Sequence, residues 1–392
     1  MSRQVHVALV RGPFLNAFEC QSYTPLADAF AITAFASRRR LHSLDGLPFP
    51  VVELPEARRW PRVLRRAAAL GGDLAARVRF GEGRYLPGLV ERLRGFDVVH
   101  TVETAHGFSG QAVEAKRRFG SRVVVTAWEN IPFNRKRYSA HAFNVVRPRV
   151  LEGADAFVAI TERAREALIL EGVDRARIRV IPMGVDLDRF RPGPAPGALR
   201  RQLGLSDDHE VVLSVGGMSH AKGFTFLLHA IARARLDPAL RRVPLAVILV
   251  GRDVAGAQRA IGRLALDGTV RIIGYLPYRD MPGLYNLASV HVLPSVPTPT
   301  WQEQFGMALV ESLASGTAVL TTMSGSIPEV VGEAGILVQP ADHVAVYQGL
   351  KELLLDPAKR QALGRAGRRR AEALFDRHAV AKQIRALYES VI

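Results

Sequence analysis

Cysteine is almost absent: Cys20 is the only one in 392 residues. One thiol excludes an internal disulfide framework and a thiolate metal cluster, and it fits a reducing compartment such as the cytoplasm. Long apolar runs are missing as well. No stretch approaches the ~20 residues that cross a bilayer. The start, "MSRQVHVALVRG", holds one short apolar strand and no extended signal-type core, so no secretory leader is expected. The glycine-bearing loop of 213–230 is neither a phosphate loop nor a GxGxxG fingerprint. No D-x-D run is placed to hold a metal–diphosphate and no His/Cys cluster has ligand spacing, so no metal and no resident cofactor is expected. Acidic residues are outnumbered, 37 against 53 basic, for a net charge of +16. That imbalance favours anionic partners: phosphate-bearing substrates, an anionic membrane surface or nucleic acid.

What is present is rhythm. "VHVALV" (5–10), "AITAFAS" (31–37), "DVVHTVE" (97–103), "RVVVTAW" (122–128) and "DAFVAIT" (155–161) read as strands separated by helical stretches. The pattern restarts with "EVVLSVGG" (210–217), "LAVILVG" (245–251), "VRIIGYL" (270–276), "SVHVLPS" (289–295) and "TAVLTTM" (317–323). Near-continuous apolar strands alternating with helices imply parallel sheets covered on both faces. Two successive sets in a chain of this length imply an α/β protein of two doubly wound domains. Residues 190–204, with three prolines and three glycines, interrupt the rhythm. The expected division is therefore 1–190, a linker at 191–204, and 205–374, with a helix at about 375–392 that could pack back on the first domain. Residues 37–96 are less regular and carry 13 basic and 6 acidic residues. Within them "RRWPRVLRRAAAL" (58–70) has the wheel of a basic amphipathic helix. Arg62, Arg65 and Arg66 would lie on an anionic membrane, or the apolar stripe would cover the protein's own core.

Two segments carry chemistry. In "LSVGGMSHAKGFTFLLHA" (213–230) a strand runs into a glycine-bearing loop and then a helix. Gly216 and Gly217 allow close backbone approach, the first helical amides favour an anion, and Lys222 adds a full charge. This is a phosphate site or an ordinary strand–turn–helix with a solvated lysine. In "WQEQFGMALVESLASG" (301–316), Glu303 precedes a helix and Glu311 lies inside it, eight positions on. That is a little over two helical turns, so the two carboxylates can reach different parts of one elongated ligand. Alternatively Glu303 caps the helix and Glu311 is solvated. Phe305, Leu309 and Leu313 are expected to face the sheet.

These motifs, in this order, resemble the glycosyltransferases of family 4. "EQFGMALVE" is similar to the family's E-x7-E signature. "VGGMSHAKGF", "IIGYLPYRDMPGLYNLASVHVLPS", "SGSIPEVVGEAGILVQP" and the "IPMGVD" turn resemble its successive pieces. The resemblance covers most of 97–385 well and 1–96 loosely. It implies the GT-B fold: two Rossmann-like doubly wound domains facing each other across a cleft. It also implies retaining transfer of a sugar from a nucleoside-diphosphate sugar to an acceptor hydroxyl, on a lipid, glycan or small molecule. By resemblance Glu311 holds the ribose hydroxyls and Glu303 lies beside the transferred sugar. Phe305, Gly306 and Met307 line the sugar and diphosphate. Lys222 neutralises the departing diphosphate, and Gly12 belongs to a first-domain loop over the phosphates. Base recognition would rest near Gly274–Pro277, with Tyr275 and Leu276 against the donor. The physical chemistry agrees, since a carboxylate accepts both hydroxyls of a vicinal diol and cations stabilise charge developing on a leaving phosphate.

Three departures stand out. Gly217 occupies the place of a second diphosphate arginine, with Arg252 a candidate substitute. Gln304 replaces the usual proline of E-P-F-G. Trp128, Glu129 and Asn130 stand where many members carry a histidine near the acceptor, with His106 on the neighbouring loop as the candidate in its place. A nucleotide-sugar isomerase on the same scaffold, and a non-catalytic basic nucleic-acid-binding protein, are the alternatives. The protein is expected in the cytoplasm, with peripheral attachment at the inner face of the membrane if the basic segment 58–70 binds there.

Overall fold

The computed structural model describes residues 4–56, 84–139, 141–252, 254–274 and 276–392. The basic segment 58–70, with Arg62, Arg65 and Arg66, and also Tyr275, lie outside the described residues. The chain divides into two compact units, Met1–Gly184 with Arg377–Ile392, and Val185–Asp376. The Pro/Gly-rich stretch 191–204 is thus counted within the second unit.

The first unit is built on β1 (Val5–Gly12), β2 (Phe30–Ser37), β3 (Val51–Leu54), β4 (Val98–Val102), β5 (Arg122–Ala127), β6 (Ala156–Ala159) and β7 (Ile178–Val180). They form one sheet in the order β3-β2-β1-β4-β5-β6-β7, every pairing parallel. Alternate residues of β1 feed two different cores. Ala8 and Val10 join Phe108 and Ala112 of the helix Gly107–Phe119, while Val7 and Leu9 join Ile384, Leu387 and Tyr388 of the C-terminal helix Arg377–Val391. Burial of both faces is why these strands read as continuous apolar runs rather than alternating ones.

The second unit holds β8 (Glu210–Val215), β9 (Leu245–Val250), β10 (Val270–Ile273), β11 (Val290–Leu293), β12 (Ala318–Thr322) and β13 (Ile336–Val338). Their order is β10-β9-β8-β11-β12-β13, again all parallel. The chain runs outward from β8 to β10, then returns to lay β11 on the other side of β8. The direction of winding therefore switches between β8 and β11. Helices diverge there, and the crevice outside the carboxyl ends of those two strands is where open α/β sheets take ligands. Lys222 follows β8 and Glu303 follows β11.

Candidate active site

The loops after β8 and β11 are locked together by backbone geometry that only glycine permits. Gly223 has φ +71°, and a Cβ there would lie 1.7 Å from the Pro294 carbonyl oxygen. Beside it, the Val296 amide donates to the Ala221 carbonyl at 2.8 Å. The Ser219 side chain accepts from the Lys222 amide and closes the short 3-10 turn His220–Lys222. These contacts aim Lys222 at Glu303: Nζ lies 2.8 Å from Oε2. Ser295 Oγ donates to the same oxygen at 2.8 Å, and the ammonium sits 4.8 Å over the Trp301 ring. Glu303 is only 5% exposed. Its own carbonyl accepts the Ser326 amide at 2.9 Å, and a Cβ on Gly325 would come within 2.1 Å of that oxygen. The carboxylate is thus fixed from both its side chain and its backbone, and the residue that caps the following helix is Gly306.

That helix runs Met307–Ala314, and Gly306, at φ +86°, breaks the chain direction just before it. Glu311 is buried on it, 4% exposed. It is not a solvated helix residue. Tyr278 Oη donates to Oε1 at 2.7 Å and Tyr285 Oη donates to Oε2 at 2.8 Å. Burial pushes the Glu311 carboxyl up to about 7, against the opposing pull of the two tyrosine hydrogen bonds. Burial and the nearby carboxylate likewise push both phenols up, so they stay donors. The Phe190 ring packs on both tyrosines at 5.6 and 6.0 Å. Neither tyrosine is among the residues expected from the sequence. A trace was there, in "PYRDMPGLY": seven positions place two hydroxyls about two turns apart on one side of a turn and helix.

The other expected residues are distributed unevenly. Phe305 is buried against Phe375, ring centres 5.6 Å apart, and Leu309 and Leu313 are fully buried. Met307 opens the Glu311 helix and is half-buried. Gly216, at φ +145°, lies against the Lys222 stem, whereas a Cβ on Gly217 would meet nothing within 4 Å. The Arg252 carbonyl accepts the Met218 amide at 3.1 Å, tying the end of β9 to the Lys222 loop, and its side chain is exposed. Leu276 is half-buried.

In the first unit Gly12, at φ +55°, closes β1; a Cβ there would press on Phe108 at 2.8 Å. His106 caps the next helix and stacks on Phe14 at 5.2 Å, its Nδ1 donating to the Val102 carbonyl at 3.2 Å. Burial pushes its pKa down to about 3, so it is neutral at working pH with Nε2 as an acceptor. The residues standing in for the family's histidine form their own network. Glu103, at φ +61°, accepts the amides of Trp128 and Glu129 at 3.2 and 3.1 Å. Burial pushes its carboxyl up to about 7. Glu129 pairs with Arg137 at 2.9 Å. Among the described residues, no group of three His, Cys, Asp or Glu side chains could hold a metal ion. No helix among them is long and apolar enough to cross a membrane.

Comparison with known proteins identifies the family. Residues 197–370 match the family model for glycosyl transferases group 1, and residues 20–184 match that for a glycosyl transferase 4-like domain. The chain belongs to the family 4 glycosyltransferases. It is 33% identical over 235 residues to D-inositol 3-phosphate glycosyltransferase of Streptomyces avermitilis, covering 57% of this chain and 49% of that protein. It is 29% identical over 274 residues to MMP alpha-(1->4)-mannosyltransferase of Mycolicibacterium hassiacum, covering 69% of this chain and 62% of that protein. The matched stretch thus spans about half to three-fifths of the length of these curated relatives. In fold it is similar to Anabaena HepE, solved in complex with UDP and glucose: TM-score 0.78, 19% identity, 99% of this chain and 100% of that one. That likeness establishes the GT-B fold of a family 4 member. The isomerase and nucleic-acid-binding alternatives gain no support.

Proposed function

We propose that the protein transfers a glycosyl group from a nucleoside-diphosphate sugar to an acceptor hydroxyl, with retention at the anomeric carbon. The observation that carries this reading is the pair Lys222–Glu303 at the winding switch of the second unit, with the buried carboxylate of Glu311 on the adjoining helix. The bond from the anomeric carbon to the β-phosphate oxygen breaks, a bond to the acceptor oxygen forms, and the acceptor proton passes to the leaving phosphate. Negative charge grows on that phosphate, and Lys222 is the cation positioned to stabilise it. Glu303 accepts from hydroxyls of the transferred sugar. Glu311 accepts from the ribose, since each of its oxygens has a second lone pair beyond the one its tyrosine uses. A relative named for D-inositol 3-phosphate, and a neighbour that holds UDP and glucose, support a nucleotide-sugar donor and a polyol or sugar acceptor. Retention follows the family.

The test is ³¹P and ¹H NMR of the protein with UDP-, GDP- and ADP-linked sugars and a panel of polyol and sugar acceptors, the phosphorus signals reading release and the anomeric proton the configuration. Acceptor-dependent release of a nucleoside diphosphate, with the donor's anomeric configuration kept in the product, is expected. Folded protein that releases none, or an inverted product, contradicts the reading.

A further inference from the structure

We propose that a groove beside the helix Pro357–Leu374, distinct from the donor site, binds a phosphate-bearing anion. The groove has a volume of about 400 Å³, within the range of small-molecule sites. Pro192, Gly316, Gln361 and Gly364 line it beside three arginines. A Cβ on Gly364 would lie 2.1 Å from the Gly316 carbonyl oxygen, and Gly316, at φ +70°, would press on Pro192 at 2.9 Å. Three guanidinium groups rise around it, from Arg365, Arg368 and Arg369.

The arrangement differs from an ordinary solvated basic face in which residues are paired. Elsewhere on this helix the cations have partners: Lys359 with Glu352, Arg360 with Glu210 at 2.9 Å, and Arg370 with the Glu329 and Val330 carbonyls at 2.7 Å. At the groove, Arg365 and Arg369 are exposed, and among the described residues neither has a hydrogen-bonding or ionic partner. They stand four positions apart, where like charges repel along a helix. Arg368 between them is fixed: Nη1 donates to the Phe190 and Ala314 carbonyls, each at 2.8 Å, and Nε to Glu372 at 2.7 Å. The two unneutralised planar forks of Arg365 and Arg369, with the remaining Nη2 of Arg368 between them, match the several oxygens of a phosphate or polyphosphate, which the two free forks can engage bidentately.

The site also touches the donor machinery. Ala314 ends the helix that carries Glu311, and Phe190 backs both tyrosines that hold it. An anion that draws on Arg368 therefore acts on Glu311 from behind. This coupling, unlike the groove itself, rests on the ribose-binding reading of Glu311.

The experiment uses the full chain and inorganic tripolyphosphate at fixed ionic strength, followed by calorimetry. Lys222→Ala removes the cation of the donor site. In that background one equivalent of tripolyphosphate is expected to bind, and adding Arg365→Gln with Arg369→Gln is expected to weaken it at least tenfold. A charge-matched control, Arg38→Gln with Arg39→Gln, should leave it unchanged. Sedimentation with phosphatidylglycerol vesicles distinguishes the source. Capture of vesicles but not tripolyphosphate, lost with Arg365→Gln and Arg369→Gln, assigns the phosphate to a lipid headgroup. Binding of either probe that survives those substitutions, or falls equally in the control, overturns the groove. Coupling is read as a change in nucleoside affinity when tripolyphosphate saturates the groove. The expected size is about 5-fold to 150-fold, absent without Arg365 and Arg369. No change, in protein whose nucleoside binding is weakened by Glu311→Gln, overturns the coupling. If Glu311→Gln leaves nucleoside binding intact, the reading of Glu311 fails instead.

Discussion

Glu311 enters the fold with both oxygens engaged, and its behaviour follows from those two bonds. Replacing it by Gln keeps the shape, removes the charge, and should weaken nucleoside-diphosphate binding by about 1.5–3 kcal/mol, the worth of hydrogen bonds to a charged group. The ionised carboxylate is the form that accepts from both ribose hydroxyls. With its pKa pushed up to about 7, donor affinity should rise as pH increases through that value. Tyr278→Phe deletes a bond that favours the ionised form, so it should move the midpoint of the affinity–pH curve upward. A midpoint that stays in place, followed by titration at pH 5.5 to 8.5, would detach Tyr278 from this role. Stability runs the opposite way. A carboxyl raised above its unfolded value of 4.5 contributes stability below that pH and loses it as pH climbs through about 7. Lys222 makes a second case. Lys222→Ala should reduce turnover at saturating donor by about 10²–10³, the effect of one transition-state donor. It also strands Glu303 beside Ser295, so the double variant with Glu303→Gln should be less destabilised than the sum of the two, a cycle read from chemical denaturation. The sequence offered both glutamates and the lysine because all three lie in one legible run of motifs. It hid the tyrosines because their partnership with Glu311 is made across 26 and 33 positions by tertiary packing.

At the scale of elements, loops decide where these groups point. Gly223→Ala forces a Cβ onto the Pro294 carbonyl at a left-handed position, and nothing flexible can yield. It should destabilise the protein by more than the ~1 kcal/mol of a tolerated glycine change and lower turnover with it. Gly217 is the contrast. Space around it is open, so Gly217→Arg should fold normally, and by adding a cation it should tighten inorganic pyrophosphate binding severalfold in the Lys222→Ala background. Unaltered binding in the folded variant would place that position away from the diphosphate. The longer strands were readable because both faces are buried and the runs stay apolar. β7 and β13, at three residues each, are too short to rise above their surroundings, and β3 lies in the stretch that reads as irregular. The Glu311 helix leaves Phe305 outside it because the left-handed backbone at Gly306 sets its start at Met307, although Phe305 continues the apolar periodicity of Leu309 and Leu313.

At the scale of the whole molecule, two sheets with the same winding are strung on one chain, and the last helix returns to the first of them. Tyr388 on that helix meets His100 Nδ1 at 2.7 Å, while His100 Nε2 meets Thr126 Oγ1 at 2.7 Å. Tyr388→Phe leaves a buried ring nitrogen unsatisfied and should lower stability by about 1–3 kcal/mol in equilibrium unfolding. Two domains were evident in the sequence because the strand rhythm runs twice; which residues of the switch crevice meet was not, because winding order is a property of the assembled sheet. The central claim is that this crevice holds a nucleoside diphosphate through Glu311. It is tested most directly by calorimetric titration of wild type and Glu311→Gln with UDP, GDP and ADP. One of the three should bind the wild type, adding about 2.7 kcal/mol of stability at 100 times its dissociation constant. The substitution should weaken that nucleotide at least tenfold. Folded wild type that binds none of them, or a Glu311→Gln variant that binds as tightly, contradicts the account.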